Sequence, residues 1–180
     1  MPLVSKPVSG AMPEPVSPPL ATGPGAGITD GSGTICRTSV TMEGGIKKTS
    51  ILIDLTGLAS STTDLDIIGV GTGVAYLGRV TAAECGTVLG LRMTCLEVPA
   101  TGADDIDLYS ATEATGAYDA GVATLVETAI ITSAGAWAAD TTKWATADVA
   151  ADQYLYLTGG EGGTAGTYTA GRFLIEIFGY

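Results

Sequence analysis

Four carboxylates stand within thirteen residues in the stretch Glu97-Val-Pro-Ala-Thr-Gly-Ala-Asp-Asp-Ile-Asp-Leu-Tyr109. Carboxylates this dense have three chemical uses: ligands for a hard cation, a general acid–base pair, or a charged surface. Calcium takes six to eight oxygen ligands, and Asp104, Asp105 and Asp107, with Glu113 or Asp119, offer part of such a set. The spacing is not that of an EF-hand loop, so the ligands would have to converge from separate turns. A glycosidase needs only two carboxylates, but in a chain with 19 acidic residues any two qualify, and none is singled out. The third use follows from alternation. In Asp105-Ile-Asp-Leu-Tyr-Ser110, period two sends Asp105, Asp107 and Tyr109 to one face and Ile106 and Leu108 to the other, the pattern of a strand with one wet side. No metal site or cofactor is therefore expected, with Asp104, Asp105 and Asp107 kept as the calcium candidates.

Other chemistry is limited by what the chain lacks. It contains no histidine, which removes Ser-His-Asp and Cys-His nucleophile systems, imidazole zinc sites and the usual near-neutral proton shuttle. It contains no asparagine and hence no N-glycosylation sequon. Gly71-Thr-Gly73 does not extend to a dinucleotide fingerprint, because Tyr76 occupies the third glycine's place, and no P-loop lysine follows a glycine run. Cys36, Cys85 and Cys95 are odd in number and without CxxC spacing, so neither a disulfide framework nor a metal cluster is expected. Cys95 reads as a small core residue. Tyr154 and Tyr156 alternate with Leu155 and Leu157, which suggests either a sugar-stacking platform or strand-surface tyrosines packed on neighbours. Trp137 and Trp144 fit a core or an interface. These absences predict a protein without catalytic activity.

The net charge is −11, which argues against nucleic acid as a partner. The charge is unevenly placed. Residues 1–48 carry Lys6, Arg37, Lys47 and Lys48 against Glu14, Asp30 and Glu43, a net of +1. Residues 49–180 hold four basic and sixteen acidic residues, a net of −12. The first residues lack the apolar core of a signal peptide, and no apolar run is long enough to span a membrane. With its three unpaired cysteines, the chain is expected to be made in a reducing cytoplasm and to have no membrane partner.

The elements that must position these residues are mostly strands. Seven of the eight prolines fall within residues 1–24, and proline fixes φ and lacks an N–H. Residues 1–30 are therefore predicted to form an extended Pro/Gly-rich N-terminal arm outside a domain spanning 31–180. In that domain, short runs rich in Val, Ile, Leu, Thr and Tyr alternate with turn residues. The predicted strands are 34–40, 46–55, 66–70, 75–80, 87–98, 105–110, 124–132, 153–158 and 167–178. One short helix is predicted over 141–151, capped by Asp140, with Trp144 and Val149 toward the body. The predicted fold is all-β: an antiparallel β-sandwich, jelly-roll-like.

The phrases ILIDLTGL (51–58), DIIG (66–69), MTCLEVPATGADDIDLYSATEATG (93–116), ADQYLYLTGG (151–160) and YTAGRFLIEIFGY (168–180) resemble small virion structural proteins of tailed marine bacteriophages, including phages of cyanobacteria. The likeness covers about residues 28–180 and lies in structural phrases rather than a catalytic signature. It implies a virion role, and the size best suits a capsid decoration, or cement, protein on the head surface. Such a protein binds the shell built by the major capsid protein, often as a trimer, through an extended N-terminal segment. Carried onto this chain, attachment falls to the apolar arm residues Leu3, Val4, Val8, Met12, Val16 and Leu20, with Lys47 and Lys48 meeting acidic shell residues. A head fibre or receptor- or glycan-binding module is the alternative. The DIDLY hairpin and C-terminal strand also resemble jelly-roll modules appended to secreted proteases, some of which bind calcium.

Overall fold

The computed structural model describes residues 20–145, 149–160 and 163–180. In chain order the strands are β1 (Ile35–Glu43), β2 (Ile46–Asp54), β3 (Ala59–Ser60), β4 (Tyr76–Arg79), β5 (Val88–Ala100), β6 (Ile106–Ala111), β7 (Glu127–Ile131), β8 (Thr142–Trp144), β9 (Tyr154–Gly159), β10 (Gly166–Thr167) and β11 (Ala170–Gly179). Two single-turn helices, α1 (Ala26–Thr29) and α2 (Ala82–Cys85), accompany them. The strands form a five-stranded sheet, β1-β2-β11-β5-β8, a four-stranded sheet, β4-β9-β6-β7, and a small β3–β10 pair. Every pairing is antiparallel, giving the all-β sandwich that the alternation predicts.

Alternation builds the core directly. β11 lies at the centre of the larger sheet and sends Phe173, Ile175 and Ile177 inward. Register places Phe173 beside Ile53 and Cys95, Ile175 beside Ile51 and Met93, and Ile177 beside Thr49 and Leu91. All nine of these residues but Ile177, at 1 %, are wholly shielded from solvent. Each large apolar side chain so buried contributes roughly 1.5–3 kcal/mol against exposure. The smaller sheet meets this layer with Ile106, Leu108, Leu155 and Leu157, and Trp137 closes one end, edge-on to Phe173 at 5.3 Å. Its indole N–H donates to the Ile106 carbonyl at 2.7 Å.

Three expectations need correction. The packed body includes residues from Leu20 on, rather than only those from residue 31. Leu20 is 5 % exposed and Ile28 is fully buried, both within the core. Gly25 N–H donates to Tyr76 O, Gly27 N–H to Val74 O and Val70 N–H to Gly27 O, at 2.8–2.9 Å. The glycines here are a packing requirement rather than a loose linker: a Cβ at Gly25 would lie 2.2 Å from Val74 O, and one at Gly27 2.5 Å from Gly73 O.

The predicted helix over 141–151 is not formed in its described part. Thr142–Trp144 is instead the edge strand β8, in register with Thr94, Met93 and Arg92 of β5. Asp140 takes a left-handed φ of 61° and donates its N–H to Cys95 O, so it turns the chain onto the sheet edge instead of capping a helix. The β-branched Thr141 and Thr142 suit that edge. Trp144 faces solvent, whereas Val149 is buried as expected. Residues 66–70 contribute only isolated bridges, Asp66 to Gly121, Ile67 to Thr158 and Gly69 to Ala59, rather than a strand.

Candidate functional site

The Asp105–Ser110 run of the acidic stretch does not have a wet face. All six residues of β6 are buried, and Asp105, Asp107 and Tyr109 are 6 %, 5 % and 8 % exposed. The reason is topological. β6 is an inner strand between β9 and β7, and other segments reach its outer side: Tyr156 donates its hydroxyl to Glu113 O at 2.8 Å and the Ser133 N–H bonds Asp107. Alternation sorted the two faces correctly but not what lies over them.

Asp107 accepts the Ser133 backbone N–H. Burial pushes its carboxyl above the usual range, and Asp105 adds to that; the Ser133 hydrogen bond and Lys143 oppose it without cancelling it. Beside it opens a cleft of about 570 Å³, lined by Asp64, Leu65, Asp107, Tyr109 and residues 132–135. Leu65 and Ala134 on its rim have positive φ, 62° and 53°. Asp64 also accepts the Gly163 N–H at 3.0 Å. Two carboxylates, a phenol and backbone groups suit hydrogen bonding to a hydroxyl-bearing or cationic group.

The calcium candidates are not brought together. Among the described residues no three His, Cys, Asp or Glu side chains gather to hold a metal ion. Asp104 is exposed, Asp105 and Asp107 are buried, and Asp119 occupies an exposed left-handed turn. Glu113 is used locally: it accepts the Val126 N–H at 2.8 Å and the Thr112 hydroxyl at 2.9 Å, bonds that hold its carboxyl below the ordinary range. Millimolar chelator is accordingly expected to leave the melting temperature unchanged. A fall of several degrees, the scale of about 1–3 kcal/mol from a saturated site, would establish a bound cation.

The raised Asp107 carboxyl carries a pH prediction. A carboxyl whose folded pKa exceeds its unfolded value holds its proton more tightly when folded, so folding strengthens as pH falls toward the ordinary value of 3.8. Asp107→Asn keeps an acceptor for Ser133 N–H and removes the buried charge. Chemical denaturation between pH 7 and pH 4.5 should show the wild type gaining stability on acidification relative to this variant. Parallel profiles would exclude the linkage.

The attachment residues divide. Leu3, Val4, Val8, Met12 and Val16 lie outside the described residues. Leu20 is a core residue and its side chain is not free to meet a shell. As neighbours on β2, Lys47 and Lys48 point to opposite sides and form no joint basic patch. Lys47 Nζ donates to the Ala82 and Ala83 carbonyls at 3.4 and 2.9 Å, while Lys48 Nζ lies 3.6 Å from Glu176 on the outer sheet face. Nor do Tyr154 and Tyr156 form an open platform. Tyr156 is fully buried, with its phenol pushed up to about 12 mainly by burial, and Tyr154 is half-buried against Tyr76 at 5.0 Å. All three cysteines are free thiols; Cys95 is core, as expected, and burial pushes Cys36 up to about 12, far from a reactive thiolate.

Sequence reasoning missed the outer face of the five-stranded sheet. There Arg92 lies 5.4 Å from the Trp144 ring and 5.6 Å from Phe178, whose rings stack at 6.2 Å. Arg92 Nε also bonds Glu176 at 2.6 Å, and Arg172 bonds Asp54 at 2.8 Å. Burial alone would raise the Asp54 carboxyl, but Arg172 and the Thr56 N–H outweigh it and hold it below the ordinary range. Period two within β5 and β11 separately assigns Arg92 and Glu176 to outer faces. Their juxtaposition depends on strand order and register, which alternation does not carry. Among the described residues no helix is long and apolar enough to cross a membrane. No family model, no curated protein and no solved structure matches this chain.

Proposed function

We propose that this chain is a virion structural protein without catalytic activity, a capsid decoration protein that binds the outer surface of an assembled phage head and works as a homo-oligomer. The observation that carries the reading is the tether at Leu20. Its side chain is set in the core, its N–H donates to Thr38 Oγ1 of the edge strand β1 at 2.9 Å, and the Ala21 N–H donates to the Glu84 carboxylate. The sequence before Leu20, with six prolines in residues 1–19, thus leads into a residue held by the sandwich. Proline restriction lowers the entropy lost when such a segment is laid along a surface. Its apolar Leu3, Val4, Val8, Met12 and Val16 then supply the short-range contacts that an acidic body needs, and several joined copies multiply weak contacts.

The test is co-sedimentation of undecorated capsids with the full chain and with a chain lacking residues 1–19. The second reading, a glycan-binding head fibre module, draws on the cleft at Asp64, Asp107 and Tyr109. Binding of the isolated protein to host cells, lost on Tyr109→Ala in a folded variant, would favour it over the first.

A further inference from the structure

We propose that the outer face of the five-stranded sheet is a contact between two copies of this chain, packed face to face. This deepens the oligomeric part of the decoration reading and rests on it only for its biological setting. Register places the residues. Trp144, Arg92, Glu176 and Ser50 run across four adjacent strands, and Leu52 and Leu174 lie side by side in the next row. Trp144 is 58 % exposed and Ile35 42 %, so large apolar groups here meet solvent.

Charge selects the occupant. The face carries Arg37, Lys48, Arg92 and Arg172, half of the chain's eight basic residues, against Glu43, Asp54, Glu97 and Glu176. It is neutral on a body of net −11. Most of these charges are already matched within the face: Arg92 and Lys48 on Glu176, Arg172 on Asp54 and on Glu97 at 3.7 Å. Covering it therefore strands few unpaired ions, whereas burying an unmatched charge is costly. A polyanion finds few free cations there. Two copies meeting through this face oppose neutral surfaces and keep their acidic sides apart, the approach in which self-repulsion is least.

The size is adequate. Ten residues of β11 at about 3.3 Å each and five strands at about 4.8 Å spacing give roughly 600 Å² of flat face, rising with side-chain relief toward the ~800 Å² per partner of a standard interface. Exposed Trp on the edge strand β8, beside Arg on β5, supplies the residue types that dominate such contacts.

The experiment is sedimentation of the full chain over a concentration series reaching about 100 µM, with Trp144→Ser and Leu174→Gln as face variants and the exposed Val126→Ser as a control away from it. The wild type and Val126→Ser should dimerise, and each face variant should weaken dimerisation about tenfold or more with its melting temperature held. A wild type that stays monomeric, a species of three copies, or a Trp144→Ser chain that dimerises as the wild type does would overturn the proposal. Capsid binding lost with Trp144→Ser while the free wild-type chain is monomeric would assign the face to the shell and overturn it too. Capsid binding that fails for every variant and the wild type alike, with dimerisation intact, would remove the decoration reading and leave this contact standing.

Discussion

Ile28→Ala is expected to destabilise the protein by about 2–5 kcal/mol, the range for truncating a buried aliphatic side chain where the surroundings collapse only partly. At roughly 2–4 °C per kcal/mol for a body of this size, the melting temperature should fall by about 5–15 °C. Ile28 is fully buried in α1, and the chain on either side is tied to the body by the Gly25–Tyr76 and Gly27–Val74 backbone bonds. The side chain therefore leaves a cavity that backbone movement cannot close cheaply. Thermal unfolding followed by circular dichroism measures the effect. The matching control is Val8→Ala, in the segment before Leu20, which should change nothing. An Ile28→Ala melt within about half a degree of wild type would return residues 20–30 to an arm.

That result also marks where sequence pattern stops being informative. The β5 and β11 phrases were readable because alternation, Leu91-Met93-Cys95 and Phe173-Ile175-Ile177, is a property of the strand itself. The 20–30 segment was not. Its Pro24 and glycines are those of a loose linker, and only the approach of the 73–74 backbone shows that Gly25 and Gly27 are glycine because nothing larger fits. β6 failed in the opposite sense. Its in–out alternation is real, but the cover over Asp107 and Tyr109 comes from distant segments whose arrival no local pattern encodes. Residues 142–144 show a third limit: a helix-like cap signal at Asp140 yields to an open sheet edge beside β5. The candidate site followed suit. Individual carboxylates were identifiable, while their dispersal, and the assembly of Arg92, Trp144 and Phe178, depend on register.

Removing residues 1–19 is expected to weaken capsid attachment by roughly 100-fold, the order gained when several weak tethered contacts act together. The boundary decides what the experiment means. A cut after residue 27 also removes Leu20 from the core and the Gly25 and Gly27 hydrogen bonds, so loss of binding would merely report unfolding. A cut after residue 19 leaves every described contact of the body in place. Lys47 and Lys48 should matter less than the segment, because Lys47 is occupied by the Ala82 and Ala83 carbonyls and Lys48 by Glu176.

The most direct measurement is thus the fraction of protein pelleting with undecorated heads, titrated for the full chain and for the chain beginning at Leu20, with both shown by circular dichroism to melt alike. Saturable binding of the full chain, with loss of roughly two orders of magnitude in affinity on truncation, is the predicted result. Equal binding by the two chains, or no binding by the full chain, would contradict attachment through residues 1–19.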